Sequence, residues 1–163
     1  MTKWKAAVLT ISDKGYQGAR EDISGKTATE YLLRYGYDVC FQEILPDERE
    51  MISEKLEELC AQKVHIVITS GGTGFSKRDV TPEATLDVIE RRADGISQAM
   101  LYHSLSITPR AMLSRGVAGI KDETLIINLP GSPKAVKEDL EYILPVLAHG
   151  LEVLHHMTGD CSR

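Results

Sequence analysis

The chain contains, at residues 67–84, the sequence VITSGGTGFSKRDVTPEA. The apolar, β-branched run from Val64 to Thr69 is typical of a buried strand. Three glycines follow, and because glycine has no Cβ and tolerates positive φ, backbone N–H groups there can close on an anion. Thr81 is a good N-cap and Pro82 suits the first helical position, so we expect a helix to begin there. Strand, glycine loop and helix N-terminus in this order favour a site for a phosphorylated ligand.

Asp79 is stronger evidence for a ligand site than the glycines are. Gly-Gly-x-Gly after a strand is most often a tight turn, and the segment lacks the signatures of a P-loop and of a dinucleotide fold. Asp79 lies in a loop that is otherwise basic, directly after Lys77 and Arg78. A carboxylate beside a phosphate is favourable only when a metal ion or a transferred proton sits between them. The alternative is an ordinary surface ion pair between Asp79 and one of those two basic residues.

Length, composition and charge limit the classes of function. A chain of 163 residues predicts one domain, which we place at residues 1–155, followed by a flexible C-terminal tail at residues 156–163. A net charge of −5 argues against nucleic acid as the main partner. The chain has no apolar run that could span a bilayer and no signal-peptide profile, so we expect a cytoplasmic protein without a membrane partner. Cys40, Cys60 and Cys161 lack metal-ligand spacing and are expected to be reduced thiols.

Apolar periodicity predicts an alternating α/β chain. The expected order, β-α-β-α-β-α-α-β-β-α, gives a three-layer α/β/α domain with a mainly parallel sheet. Residues 117–120 and 125–127 predict two short strands joined through Lys121-Asp122-Glu123, and so short a connection makes a hairpin with one antiparallel strand. The helix that begins at Pro82 is expected to continue through Arg91 to residues 94–95.

Several local patterns have a purely structural interpretation. Ser24 is expected to cap the helix after the first polar loop, and Asp47 with Glu50 three residues later resembles a capping box. His65 lies in an apolar strand, where we expect a core position with a satisfied ring. His155 and the histidine after it lack a third ligand, so they do not predict a metal site.

Three of the predicted strands end in polar loops. Ser12 and Asp13 follow the first strand, residues 71–74 follow the third, and residues 128–134 follow the last. Ligands of α/β sheets gather at the carboxyl ends of the strands. If these three strands are neighbours, their loops meet in one pocket.

Taken together, these loops resemble the MogA/MoaB-type molybdopterin-binding domain. The matching segments follow one collinear order over most of the chain: Ile11-Ser12-Asp13, Leu45-Pro46-Asp47-Glu48, Thr69 to Gly74, Arg78 to Thr85, Leu113-Ser114-Arg115 and Asn128 to Lys134. The resemblance implies a cytoplasmic homotrimer that adenylylates molybdopterin with Mg-ATP and so prepares its dithiolene for metal insertion. It also implies Mg²⁺ as cofactor, ATP and molybdopterin as substrates, and a molybdenum-insertion protein as a candidate partner.

Two branches of this family differ in features found here. Asp-Val-Thr-Pro at residues 79–82 and Asn-Leu-Pro-Gly at residues 128–131 resemble the MogA-like, adenylyltransferase branch. Residues 117–119 and Ser132 resemble the MoaB-like branch. The alternative function is therefore a MoaB-like, non-catalytic molybdopterin-binding or scaffold protein.

The resemblance also implies roles for two carboxylates. Asp47 and Asp79 match the family's two essential carboxylates, so they are expected to be catalytic and to hold Mg²⁺ at the ATP phosphates. Their presence favours the enzyme over the scaffold. For Asp47 the alternative remains a helix N-cap.

Other residues are implied to bind the two substrates. Those implied for molybdopterin and its phosphate are Ser70, Gly71, Gly72, Thr73, Gly74, Ser114 and Arg115. Those implied for the nucleotide are Ser12, Asp13, Asn128, Pro130, Gly131, Ser132 and Lys134. Asp22 and Glu83 are secondary candidates. Basic residues are expected around the pocket, where they would attract anions to an otherwise acidic protein: Lys77, Arg78, Arg115 and Lys134.

Overall fold

A six-stranded sheet forms the centre of the fold, and helices cover both of its faces. The computed structural model describes residues 3–157. The strands are β1 Lys5–Ile11, β2 Asp38–Leu45, β3 Ile66–Ser70, β4 Arg91–Arg92, β5 Ala118–Lys121 and β6 Thr124–Leu129. The helices are α1 Asp13–Tyr16, α2 Ile23–Arg34, α3 Arg49–Ala61, α4 Thr81–Leu86, α5 Asp94–Leu105 and α6 Pro133–Leu154, and a 3-10 helix spans Pro109–Leu113.

The strand order is β2-β1-β3-β6-β5-β4. β2, β1, β3 and β6 are parallel neighbours, whereas β5 runs antiparallel to both β6 and β4. β5 and β6 form the predicted hairpin, whose turn holds Asp122 at a φ of 50°. The predicted three-layer fold, with a mainly parallel sheet and one antiparallel strand, is confirmed.

The strand β4 replaces part of a predicted helix. The expectation that the helix near Pro82 continues to residues 94–95 is wrong, because α4 ends at Leu86. The following residues join the sheet edge instead, and the backbone N–H of Glu90 donates to the carbonyl of Ile120 at 2.8 Å. Pairing with β5 therefore satisfies backbone groups that a continued helix would have bonded internally.

Alternate residues of the parallel strands point into two separate hydrophobic cores. In β1, Ala6 and Val8 belong to the core beneath α2, α5 and α6. Ala7, Leu9 and Ile11 belong to the core beneath α3 and α4. Because both faces are buried, the strand is apolar at every position from Ala6 to Leu9, as is typical of a parallel sheet between helical layers.

The cap of α2 differs from the prediction. Asp22, not Ser24, caps this helix: its carboxylate accepts hydrogen bonds from the backbone N–H of Gly25 and from the hydroxyl of Thr10, both at 2.8 Å. Ser24 donates instead to the carbonyl oxygen of Gly131. The secondary candidate Asp22 thus has a structural role that links the helix to the sheet.

At the amino ends of the strands, Trp4, His65 and His155 form an aromatic cluster. The ring centroids lie 5.1 Å apart for Trp4 and His65, 5.3 Å for Trp4 and His155, and 4.8 Å for the two histidines. Nδ1 of His65 accepts a hydrogen bond from the backbone of Lys5 at 2.8 Å, as expected of a satisfied ring. The expected core position is wrong, because His65 is only half-buried. Burial and the neighbouring His155 lower the pKa of His65.

Helix α6 ends at Leu154, one residue before the predicted domain boundary, and His155 packs in the aromatic cluster just described. Most of the predicted tail, residues 158–163, lies outside the described residues, as does Cys161. Cys40 and Cys60 are free thiols, and burial raises the pKa of Cys60 to about 11. Within residues 3–157 no helix combines the length and apolarity needed to cross a membrane.

Candidate active site at the carboxyl ends of the strands

A cavity of about 680 Å³ opens where β3 and β6 end. It lies between the glycine loop after β3, the turn after β6, and the helices α5 and α6 with the 3-10 helix. The predicted site residues that line it are Gly71, Gly72, Thr73, Gly74, Asp79, Ser114, Asn128, Pro130, Gly131 and Ser132. The strands β1, β3 and β6 are neighbours, as the expectation required. The loops after β3 and β6 meet in this cavity, but Ser12 and Asp13, after β1, do not line it, so the expected single pocket for all three loops is wrong in that part.

The glycine loop is packed so closely that side chains are excluded. Gly71 and Gly72 have φ values of 98° and 66°, which disfavour other residues. A Cβ at Gly71 would lie 2.3 Å from the carbonyl oxygen of Ile11, and one at Gly72 would lie 2.2 Å from Oγ1 of Thr81. The loop therefore exposes backbone rather than side chains to the cavity, which is the geometry that backbone N–H groups need to close on an anion.

Two hydroxyls beside the glycine loop have no partner. Ser70 Oγ and Thr81 Oγ1 are buried, and neither forms a hydrogen bond within residues 3–157. Thr81 does not cap α4 as expected, because Val80 occupies the N-cap position and Thr81 is the first helical residue. A buried hydroxyl without a partner costs free energy, so these two groups favour a ligand that supplies acceptors.

Asp47 and Asp79 both lie against the glycine loop. A Cβ at Gly72 would stand 3.1 Å from Oδ1 of Asp47, and one at Gly74 would stand 2.9 Å from Oδ2 of Asp79. Burial, together with the negative charges of Asp13 and Asp79, raises the pKa of Asp47. The two carboxylates therefore concentrate negative charge at the loop, where a cation would be stabilised.

The two structural alternatives for these aspartates do not match the structure. Asp47 does not cap α3, whose N-cap is Glu48 without a side-chain bond. Asp79 forms none of the ion pairs found among residues 3–157, and its Oδ2 accepts from the backbone N–H of Ser76 at 2.9 Å. Arg78, the expected partner, turns away to Asp13 and Glu48.

Asp13 holds Asp47 in place at the glycine loop, and neither residue lines the cavity. The backbone N–H of Asp13 donates to Oδ2 of Asp47 at 2.9 Å, and the N–H of Asp47 donates to Oδ1 of Asp13 at 3.0 Å. Hydrogen bonds from Arg78 hold the pKa of Asp13 below its usual range. The carboxylate of Asp13 is thus hydrogen-bonded within the protein. The hydroxyl of Ser12 caps α1.

Arg115 braces the glycine loop and does not line the cavity. Its guanidinium donates to the carbonyl oxygens of Gly74 and Asp79, both at 2.7 Å, and pairs with Glu83. Its backbone N–H donates to the carbonyl of Thr73 at 2.8 Å. The side chain therefore fixes the backbone on which Asp79 stands, a positioning role that sequence spacing does not reveal.

The remaining predicted residues divide between structural and exposed positions. The buried side chain of Asn128 donates to the hydroxyls of Thr69 (3.0 Å) and Thr85 (2.9 Å) and accepts from the backbone of Val117 (3.2 Å). Ser132 caps α6. Lys134 has 81% of its side chain exposed and does not line the cavity, and neither do Lys77, Arg78 and Arg115.

The helical side of the cavity was not predicted. Among its lining residues are Gln98 and Ser104 on α5, Arg110 on the 3-10 helix, and Glu138 and Asp139 on α6. Arg110 is the sole Lys or Arg that lines the cavity within the described range, residues 3–157. A signal was present in the sequence, because the polar residues at positions 97 and 104 recur seven apart and so share one face of a helix.

Residues 7–149 match the family described as a probable molybdopterin binding domain. The chain belongs to this family. It is 40% identical over 150 residues to the molybdopterin adenylyltransferase of Helicobacter pylori, covering 90% of this chain and 85% of that protein. It is 41% identical over 163 residues to gephyrin of Dictyostelium discoideum, covering 94% of this chain but only 23% of that longer protein. The crystal structure of the molybdopterin biosynthesis enzyme MoaB of Thermus thermophilus is 42% identical, with a TM-score of 0.89 and coverages of 94% and 97%.

Proposed function

We propose that this protein transfers the adenylyl group of ATP to molybdopterin in molybdenum cofactor biosynthesis. An oxygen of the molybdopterin phosphate attacks the α-phosphorus of ATP, a new P–O bond forms, and the bond to pyrophosphate breaks. The names of relatives about 40% identical support this activity. The structural observation that carries it is the pair Asp47 and Asp79, placed at the glycine loop without cationic side-chain partners among the ion pairs of residues 3–157.

The glycine loop is proposed to hold the molybdopterin phosphate. The backbone N–H of Gly71 already donates to the carbonyl of Leu129 at 3.1 Å, so residues 72–74 are the ones proposed to offer N–H groups. Ser70 and Thr81 offer hydroxyls that lack partners within residues 3–157. Arg110 is proposed to contribute positive charge at the cavity wall. Both reactants are anions, so positioned donors and a guanidinium lower the cost of bringing them together.

Asp47 and Asp79 are proposed to hold Mg²⁺. Magnesium prefers one or two carboxylates together with phosphate oxygens and water, and this donor set fits that preference. Among residues 3–157 no cluster of three or more His, Cys, Asp or Glu side chains could hold a metal by itself, which agrees with an ion that requires substrate oxygens. When bound, the ion would neutralise phosphate charge and orient the triphosphate. Asp13 and Arg115 support the two carboxylates from behind.

The nucleotide is proposed to lie along the turn after β6. Asn128, Pro130, Gly131 and Ser132 line the cavity there, at the N-terminus of α6. Ser12, Asp13 and Lys134 do not line it, so any contribution from them is through positioning or long-range charge.

Substitution of Asp79 by Asn tests the proposal. The amide keeps the shape and can still accept from Ser76, but it loses the charge. Pyrophosphate release that depends on both ATP and molybdopterin should fall about 10³-fold or more, the order expected for a charge that acts in the transition state. The matched control is Asp87→Asn, which removes a carboxylate paired with Arg49 outside the cavity and should leave turnover within about twofold.

Turnover of Asp79→Asn within a few-fold of the parent, at saturating Mg²⁺ and ATP, would contradict the assignment. A parent protein that binds molybdopterin but releases no pyrophosphate would instead favour the non-catalytic binding or scaffold alternative. Normal thermal unfolding of both variants is required, because it separates lost chemistry from lost structure.

We also propose that the protein is a cytoplasmic homotrimer that passes its product to a molybdenum-insertion protein. The free thiols Cys40 and Cys60 agree with a reducing compartment. Large exposed apolar side chains on α5 and the 3-10 helix, including Tyr102 at 76% and Met112 at 62%, offer a surface for subunit contact. Sedimentation equilibrium should give three times the mass of one chain, and a monomeric mass at micromolar concentration would contradict the trimer.

A further inference from the structure

A buried carboxylate lies in the helical wall of the cavity, away from the pair proposed for Mg²⁺. Asp139, on the second turn of α6, is only 2% exposed and lines the cavity together with the apolar residues Met100 and Leu113. Carboxylates are rarely buried unless they are paired with a cation or extensively hydrogen-bonded. The surroundings of Asp139 therefore need an explanation.

The protein provides few groups that would stabilise a negative charge on Asp139. Oδ1 of Asp139 accepts a hydrogen bond from the hydroxyl of Ser104 on α5 at 2.8 Å. No other side-chain hydrogen bond and no ion pair within residues 3–157 involves Asp139. Burial accordingly raises the pKa of Asp139 to about 6. A buried charge with one neutral partner destabilises the fold. If Asp139 served only to link α5 to α6 by a hydrogen bond, a neutral polar residue would do so at a lower cost in folding free energy.

The position of Asp139 is suited to the far end of a ligand held at the glycine loop. The start of α6 touches that loop, since a Cβ at Gly131 would lie 3.4 Å from Cα of Gly71. Asp139 follows the N-cap Ser132 by seven positions, which is about 10 Å along a helix. The opposite end of a ligand whose phosphate lies at the glycine loop can therefore reach this carboxylate across the same cavity.

We propose that Asp139 selects the pterin by accepting hydrogen bonds from the adjacent N3–H and 2-amino groups of its pyrimidinone ring. This inference rests on the proposed function. An ionised carboxylate presents acceptors to two neighbouring donors, which is the pattern of that edge of a 2-amino-4-oxopteridine. The Watson–Crick edge of adenine presents a donor beside an acceptor and does not match it. Ser104 orients the carboxylate and leaves acceptor capacity free.

The affinity of the protein for the pterin should depend on pH. The charged or titratable groups that act on Asp139 are His103 on α5, which favours its ionised form, and Glu138 on α6, which disfavours it. Asp79 and Arg110 face the same cavity. As the pH falls through about 6, Asp139 takes up a proton in the free protein and loses an acceptor, so pterin affinity should decrease.

Two free pteridines test the inference on the intact chain. The probes are 2-amino-4-oxopteridine and 2,4-dioxopteridine, which carries a carbonyl in place of the amino group. At pH 7.5 the parent should bind the amino compound about 10–100-fold more tightly, the range for hydrogen bonds to a charged group. Asp139→Asn should reduce this preference to within about threefold, and Ser104→Ala should reduce it partially. Thermal unfolding should show that both variants fold.

Steady-state kinetics separate this inference from the proposed function. Asp139→Asn should raise the KM for molybdopterin about 10-fold or more while the KM for ATP changes by less than about twofold. An unchanged pteridine preference in Asp139→Asn, or a parent without any preference, overturns the inference. A parent that prefers the amino compound but releases no pyrophosphate overturns the proposed function and leaves the inference standing.

Discussion

The two walls of the cavity are built in different ways. The glycine-loop wall presents backbone and Asp79, with Asp47 against Gly72 but not lining the cavity. This wall excludes added atoms: a Cβ at Gly71 would meet the carbonyl oxygen of Ile11 at 2.3 Å. The helical wall presents side chains from α5, the 3-10 helix and α6, among them Gln98, Arg110 and Asp139. One wall is fixed by main-chain packing, whereas the other can change its chemistry one side chain at a time.

This difference suits the two walls to different parts of a ligand. Phosphate geometry is the same for every nucleotide, so a wall of backbone donors suits it and tolerates little change. Heterocycles differ at their edges, so their selection suits side chains on helices. Substitutions on the first wall should therefore disturb both stability and chemistry, and those on the second should mainly change substrate preference.

The largest effect is expected for Gly71→Ala. An alanine there must adopt a φ near 98° and place its Cβ against backbone, so we expect a loss of about 2–5 kcal/mol of stability and of measurable turnover. Gly36→Ala is the matched control, because Gly36 has a similar φ of 86° but no atom within 4 Å of the added Cβ. It should cost about 1–2 kcal/mol and leave turnover intact. If chemical denaturation gave both variants the same loss of unfolding free energy, close packing of the loop would be shown to be unimportant.

The two arginines provide a second contrast. Arg115→Lys keeps the charge but cannot reproduce the fork that holds Gly74 and Asp79, so stability should fall by about 1–3 kcal/mol and pyrophosphate release about 10–100-fold. Arg110→Ala, on the helical wall, should change stability by less than about 0.5 kcal/mol and mainly raise KM for the anionic substrates. A stable, fully active Arg115→Lys variant would contradict the bracing role.

The smallest effect on stability is expected for the buried hydroxyls. Thr81→Val and Tyr37→Phe each remove a hydroxyl that lacks a partner within the described residues, so each should leave stability unchanged or raise it by up to about 1 kcal/mol. Only Thr81→Val should weaken binding of molybdopterin, by about 10-fold, because its hydroxyl lies against Gly72 of the glycine loop, whereas Tyr37 belongs to the core beneath α2, α5 and α6. Isothermal titration of both variants measures this, and equal affinities would remove Thr81 from the phosphate site.

The sequence predicted the first wall better than the second. The glycine loop depends on contiguous residues and on the strand before it, so its local pattern was sufficient to place it at the carboxyl end of β3. The position of Asp79 at that loop followed for the same reason. The hairpin was also local and was predicted correctly, as was most of the order of elements, but the short helix α1 and the edge strand β4 were not predicted.

The errors have a common physical cause, which is competition from distant partners. Asp47 has the local features of a cap, but its carboxylate accepts from Asp13, 34 positions away. Ser24 and Asp22 are both good caps, and the choice between them depends on Thr10 and on the turn after β6. Helix α4 ends early because β5, far along the chain, offers a backbone partner. The helical wall was missed because the spacing of the polar residues at positions 97 and 104 indicates a shared helix face but not whether that face meets solvent or a cavity.

The aromatic cluster at the amino ends of the strands has a consequence for how such domains are combined in longer proteins. Trp4 precedes β1 and His155 follows α6, yet their rings lie 5.3 Å apart, on the side of the sheet opposite the cavity. Two neighbouring attachment points remote from the cavity allow additional domains to be joined by short linkers, or this domain to be inserted into a loop of another, without obstructing the cavity. This geometry suits a domain that is combined with others in one chain, in agreement with gephyrin of Dictyostelium discoideum, in which the matching region is 23% of the protein.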